Sequence, residues 1–523
     1  MVPATGRHVT TPIATRVIRH AVLTSLLGLA TACVPEATGL SVVGGPRDAG
    51  SDAAVGLDAP SPDRPTTPGR PLTLSQELSL PEAEILELRY RADGMLAACT
   101  ARQGVRVFDA RDPGSFRPLP ATRTAFGDFN YFRCSHVAVG SSLAFATFRA
   151  DVTQPSSLTA VDLSDPPAVV AAYRAPAGVT FDGIVAIGDR QLVAMRRDGL
   201  GVFTRAGETF TPGPVLRGLT DVTGLALDGS ILCVADGEGG LATVDARDPD
   251  ALRVLGRVAT GGIAQTVAVD PVRHLAFVSA GSAGVVIVDI ARPQAPALVG
   301  RVPTSGMVGQ IEVVDGRLYV ATWRDVRAYD LSVPSRPLLF GVVRPSSPGQ
   351  NARVEGVAVR GDILAVANWN FLDTYRLLPD RAAPYLVGQT EHIGLGRVAV
   401  GASASAFVTV ENLGRAPIAG VTARVADPSF SVTPETLSLE AGESAELRVA
   451  FRATSTAPVT TTLSLTGDDP LANELHIELR ANVASVAVGD PAPAESAQLT
   501  DGTAWSLEGQ RGSVVMLVYF TTW

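Results

Sequence analysis

The sequence predicts a mainly β protein: a seven-bladed propeller, then a smaller β-sandwich, then the opening of an α/β unit that is left incomplete. Three observations lead there. From Leu72 to about Thr390 a unit of roughly 40 to 45 residues recurs, a period that means a solenoid or a propeller. From His392 to Val483 that unit gives way to longer alternating strands without its markers. Finally, the text closes on an unbroken apolar run, Val514 to Phe520, followed by Thr521, Thr522 and Trp523.

At 523 residues the chain exceeds one ordinary domain. Its net charge of -9, spread without blocks, argues against nucleic acid or an anionic surface as a partner drawn in by field alone. The four cysteines (Cys33, Cys99, Cys134, Cys233) include no CxxC and no metal-ligand spacing, so no disulfide framework is expected. Six histidines are scattered, none close to another or to a cysteine. No metal and no cofactor is therefore expected.

Residues 1–33 carry the address. Arg7, Arg16 and Arg19 precede the run "AVLTSLLGLATAC", which is shorter than the ~20 apolar residues needed to span a bilayer and ends in small residues. That layout is a signal peptide. It resembles the lipobox of bacterial lipoproteins, which implies acylation at Cys33. Ala30 stands where that family usually has Leu, so cleavage near Ala32 with simple secretion remains the alternative. Because Val34 is not Asp, the resemblance favours the outer membrane over inner-membrane retention. Residues 34–71 are rich in Pro, Gly, Ala, Ser and Asp and read as a flexible tether.

Within 72–390 the marker is a short strand ending in Asp: "VRVFD" at Asp109, "LTAVD" at Asp162, "LATVD" at Asp245, "VVIVD" at Asp289 and "VRAYD" at Asp330. Weaker copies end at Thr204 and Arg376 and make seven. Two strands precede each marker, as in "TVAVD" and "LAFVSA". A Pro-rich corner and a fourth strand such as "ALVGRVP" follow. The Asp before each corner reads as an Asx turn, its side chain accepting a backbone N–H. Four strands per unit closed into a ring protect the sheet edges, and "LTLSQELSL" is placed to complete the last blade. These copies resemble the LVIVD repeat, whose name is nearly spelled by Val285 to Asp289. Trp323 and Trp369 end the second strands of adjacent units, with Phe148 in the matching place of the second. Together they form a candidate binding face.

Residues 391–485 read as an immunoglobulin-like sandwich. The stretch "FSVTPETLSLEAGESAELRVAF" followed by "GDDP" resembles the bacterial domains related to abnormal-spindle and hydin proteins, which implies a spacer or adhesive module.

The segment 486–523 resembles the opening of thioredoxin-like redoxins, the alkyl hydroperoxide reductase and thiol-specific antioxidant class. Gly489, Pro493, Asp501, Gly502, Gly512 and Trp523 carry the likeness. In that class a reactive cysteine follows the Trp at a helix N-terminus, so the resemblance implies a thiol or selenol oxidoreductase cut just before its nucleophile, with selenocysteine read as a stop. The first functional expectation is thus a monomeric, lipid-anchored cell-envelope redoxin with a propeller docking module. The alternative is a non-enzymatic binding or adhesion scaffold, in which the propeller takes a protein or small-molecule ligand.

Overall fold

A computed structural model describes residues 67–68, 70–113, 115–122, 133–150, 154–304, 307–345, 353–390, 392–469, 472–483, 496–498 and 503–510. Seven four-stranded antiparallel sheets follow one another along the chain. Blade 1 runs Ile85–Tyr90, Met95–Thr100, Gly104–Asp109 and Arg117–Pro118, and blade 2 runs Cys134–Val139, Leu143–Phe148, Ser157–Asp162 and Ala168–Arg174. Blades 3, 4, 5 and 6 begin at Ile184–Ile187, Gly224–Asp228, Val267–Asp270 and Val308–Val314. Blade 7 takes Val354–Arg360, Ile363–Asn368 and Phe371–Leu377 from late in the chain and its outer strand, Leu72–Ser79, from the start. That closing strand pairs antiparallel from Leu72 opposite Leu377 to Ser79 opposite Phe371, so the last blade gains its fourth strand and the ring is latched.

The packing explains why the inner strands read as continuous apolar runs rather than alternating ones. Each sheet is covered on both faces by its neighbours, and each blade interface holds its own core. Blade 7 meets blade 1 through Ala358, Ala365 and Ala367 against Leu88, Leu96 and Phe108. All six residues of Met95–Thr100 are consequently buried, and each Leu or Phe taken from water there contributes about 1.5–3 kcal/mol. Glycine is required at the turn into the third strand: Gly199, Gly240 and Gly284 have φ of 105°, 76° and 76°. A Cβ there would collide with the carbonyl oxygens of Leu216, Val258 and Val302.

The repeating Asp does what a turn residue does. Oδ1 of Asp109, Asp162, Asp245, Asp289 and Asp330 accepts the N–H two residues on, at 2.8 to 3.3 Å. Against the sequence expectation, one disulfide is present: Cys99–Cys134 staples the second strand of blade 1 to the first strand of blade 2. Sequence spacing misses it because the cysteines, 35 residues apart, are brought together only by blade stacking.

The sandwich begins at Leu386–Gly388, which pairs with Ser403–Asn412 in a sheet completed by Ser444–Arg452 and Phe430–Thr433. The facing sheet orders His392–Gly394, Leu475–Ala481, Val459–Thr466, Ile418–Val425 and Thr436–Leu439. Val408, Val410, Leu447, Val449, Leu463, Leu465, Ile477 and Leu479 alternate inward to fill it. Buried Asn412 ties the linker down: its Oδ1 accepts from Tyr385 and Gly414 N–H, both at 3.0 Å.

The expected thioredoxin-like α/β fragment is overturned. Among the described residues there is no α-helix, only three single turns of 3-10 helix. The described part of 486–523 is a hairpin, Ser496–Gln498 with Ala504–Ser506, then the turn Glu508–Gln510. Apart from Trp523 the likeness rested on Gly, Pro and Asp landmarks, residue types that punctuate any turn-rich β segment. Gly489, Pro493, Asp501, Gly502, Gly512 and Trp523 lie outside the described residues, as does Cys33.

Candidate docking face

At one end of the ring the second strands finish and the first strands begin, and the functional candidates gather there. Trp323 follows Thr322 in blade 6, and Trp369 follows Asn368 in blade 7. Backbone bonds lock the two turns to the start of blade 7: Val354 N–H donates to Trp323 O (3.2 Å), and Trp369 N–H donates to Arg353 O (2.9 Å). The Arg353 guanidinium is held between both indoles, 3.9 Å from the Trp369 ring centre and 5.0 Å from that of Trp323. Glu355 completes the group, 2.6 Å from Arg353 Nε and accepting from Trp323 Nε1 at 3.4 Å. Burial pushes its carboxyl up against the pull of Arg353.

Trp323 remains 40% exposed despite these contacts. Met307, whose carbonyl accepts from Trp323 N–H, is 59% exposed, and Ile263, in the turn ahead of the blade 5 first strand, is 53% exposed. Three large apolar side chains thus stand on the same end of blades 5 and 6, beside the Trp–Arg–Trp stack. Phe148 does not join them. It is fully buried in the core between blades 1 and 2, and its chain neighbour Arg149 reaches the surface in its place.

A chain of charges that the sequence reading did not find runs from blade 6 through blades 1, 2 and 3 to blade 4. Glu312 of blade 6 accepts from Arg89 of blade 1 (2.9 Å), which also pairs with Glu87 (2.7 Å). His136 of blade 2 bridges Glu87 and Asp182, each at 3.2 Å. Asp182 takes Arg149 (2.8 Å) and Arg196 (3.0 Å), and Arg196 reaches Asp221 of blade 4 (2.8 Å). Four carboxylates thus face four cations once His136 is protonated. Burial opposes that charge, but Glu87 and Asp182 outweigh it and raise the imidazole to about 9. Burial also works against Asp182, yet His136 and Arg149 hold its carboxyl well below the usual range.

Two stretches of the chain resemble known families. Residues 220–260 and 261–304 match the LVIVD repeat, and residues 386–475 match ASH, the abnormal spindle-like microcephaly-associated, ASPM-SPD-2-Hydin domain. Among solved structures the chain is similar to the WD40 propeller domain of Doa1, at 12% identity over 58% of this chain and 96% of that one, with a TM-score of 0.46. It is likewise similar to the Cps50 (Swd1) propeller domain of Myceliophteria thermophila, at 12% identity over 59% and 100%, TM-score 0.45. A computationally designed protein, Ika8, aligns at 8% identity over 57% and 98%, TM-score 0.41. No curated protein matches the chain. The ring is therefore argued from its own seven sheets and seven interblade cores.

Among the described residues no group of three His, Cys, Asp or Glu side chains is placed to hold a metal ion. The described cysteines offer no nucleophile either. Cys99 and Cys134 are bonded to each other, and burial pushes the Cys233 thiol up to about 12. The oxidoreductase reading, with its selenocysteine and antioxidant corollaries, is corrected accordingly: a redoxin thiolate needs a helix N-terminus to stabilise it, and the described residues contain no α-helix.

Proposed function

We propose that this chain is a non-enzymatic docking scaffold of the cell envelope, which captures a protein partner on the blade 5 to 7 arc of its propeller. The observation that carries the reading is Trp323. It is a large, half-open aromatic, stiffened by Arg353 and Trp369 and flanked by exposed Met307 and Ile263. Rigid aromatics and arginine, set among apolar neighbours, are what dominate binding energy at protein interfaces. The charges of blades 1 to 4, together with Glu312 of blade 6, are spent on one another, which leaves the Trp323 turn and its apolar neighbours as the open part of blades 5 to 7. Export is supported by the Cys99–Cys134 bond, since disulfides persist in oxidising compartments. Attachment through an acylated Cys33, with the outer membrane preferred, completes the proposal.

A photo-crosslinking residue at Met307 in producing cells should capture a discrete partner, and one at Val272, exposed in the turn after the blade 5 first strand, should not. Changing Trp323 and Trp369 to Ala should weaken that partner by about 30-fold, the equivalent of one interface hot spot of ~2 kcal/mol. Equal capture from both positions, or capture indifferent to the two tryptophans, would refute the docking face. Replacing Cys33 with Ser should release the protein from the membrane fraction. Retention of that variant would refute the anchor alone.

A further inference from the structure

A second site lies on the outer rim, where the closing strand meets the sandwich. A cavity of about 550 Å3 opens between blades 6 and 7 and the linker into the sandwich. None of its lining residues belongs to the tryptophan face. Leu72, Phe340, Tyr375 and Tyr385 give it an apolar, largely aromatic wall, while Asp373 and Glu77 supply its acidic side. Its volume falls within the few hundred to ~1,000 Å3 typical of small-molecule sites, and such sites favour junctions between domains.

Asp373 makes this more than a gap in the packing. It stands on the third strand of blade 7, directly opposite Glu77 of the closing strand, and it is only 1% exposed. One oxygen, Oδ2, accepts from Asn368 Nδ2 at 3.2 Å. The other, Oδ1, is buried with no hydrogen-bond partner. The charged group that bears on it is Glu77, a second carboxylate, and burial with this neighbour lifts Asp373 to about 6. Arg344, which also lines the cavity, is 3.7 Å from Asp325 and has its countercharge there. A lone acceptor of this kind, held out of water with no cation paired to it, is costly unless something supplies both a donor and a positive charge.

We propose that this cavity binds a small organic ammonium ion with an apolar body, its N–H groups donating to Asp373 Oδ1 and its apolar part lying on Tyr375, Leu72 and Phe340. The ammonium meets both requirements at once, and the Tyr375 ring stands in the same wall as Asp373; the Phe340 ring already carries Arg317 and Arg415 and contributes apolar surface only. A neutral alcohol of the same shape supplies a donor without the charge. Arg70 also lines the cavity, so an anion meets both signs of charge there and gains nothing from the lone oxygen of Asp373.

The test uses the full chain and two probes of matched shape, 2-phenylethylamine and 2-phenylethanol, titrated calorimetrically at neutral pH. Saturable binding of the amine to one site is expected, about tenfold or more tighter than the alcohol, as one charge-assisted hydrogen bond implies. Asp373→Asn should abolish that preference while keeping the shape of the site. The comparison of the two probes on the unaltered protein stands even if that variant folds poorly. No saturable amine binding, equal binding of amine and alcohol, or an undiminished preference in a folded D373N protein would each overturn the proposal.

Discussion

His136 offers the most direct access to the energetics of the ring. Nδ1 lies 3.2 Å from Glu87 Oε2, and Nε2 lies 3.2 Å from Asp182 Oδ1, so one imidazolium joins the carboxylates of blades 1 and 3 across blade 2. Raising its pKa from 6.5 to about 9 corresponds to about 3 kcal/mol at 1.36 kcal/mol per decade. Because the folded value lies above the unfolded one, that stability is fully present below pH 6.5 and is lost as the pH rises through about 9. Urea unfolding followed by tryptophan fluorescence, in steps from about pH 6 to about pH 10, should show this decline in the wild type. His136→Gln should remove it, and at pH 6 the variant should be less stable by about 3–5 kcal/mol, because Glu87 and Asp182 lose the cation between them. His274, raised by its contact with Asp228, adds a slope of the same sign to both proteins, so the difference between them isolates His136. Identical pH slopes in the two proteins would refute the argument that His136 is charged in the folded ring.

Two further outcomes test how the ring is held. Replacing Cys134 with Ser opens a loop of 35 residues, which chain entropy values at about 4 kcal/mol. A reductant should lower the urea midpoint of the wild type and leave that of the variant unchanged, and an unaffected wild type would contradict a bond formed in the native protein. Deleting the chain up to Ser79 strips the fourth strand from blade 7 and bares the edge of Phe371–Leu377. The truncated protein should melt earlier and associate in sedimentation velocity, whereas a monodisperse product of unchanged melting temperature would show that the latch is dispensable.

Architecture was legible in the sequence because each blade repeats the same local solution. The Asp at each corner bonds the N–H two residues on, an interaction complete within three residues and therefore visible as a motif. The closing strand was legible for a related reason: "LTLSQELSL" is a fourth strand without a blade of its own. What stayed hidden depends on blades meeting in space. Arg89 and Glu312 pair across 223 residues, and Cys99 finds Cys134 only because adjacent blades stack. Phe148 was misplaced by its register. The last residue of a second strand still points into the interblade core, while Trp323 and Trp369 are the first residues beyond it. At the C-terminal end a short apolar run was read through a family likeness, although such a run alone does not tell one fold from another.

That single step in register also explains where this propeller can vary. Inside the second strands the residues are mostly Ala, Val, Leu, Ile or Phe, since both faces must fill the spaces between blades. The first residue past each of those strands is, in ring order, Ala101, Arg149, Met195, Asp236, Ala280, Trp323 and Trp369. Met195 and Ala280 still belong to interblade cores and Asp236 is buried, whereas Arg149 and Trp323 are exposed, so the chemistry of these turns is open to variation only where packing releases them. Arg149 and Asp236 are drawn into ion pairs along the charged arc, with Asp182 and Arg257 respectively, and Ala101 and Ala280 are too small to recognise anything. The two tryptophans stand on consecutive blades with one arginine between them, and there adjacent turns build a joint aromatic surface. A partner that reads this ring by its irregularities has that sector to read.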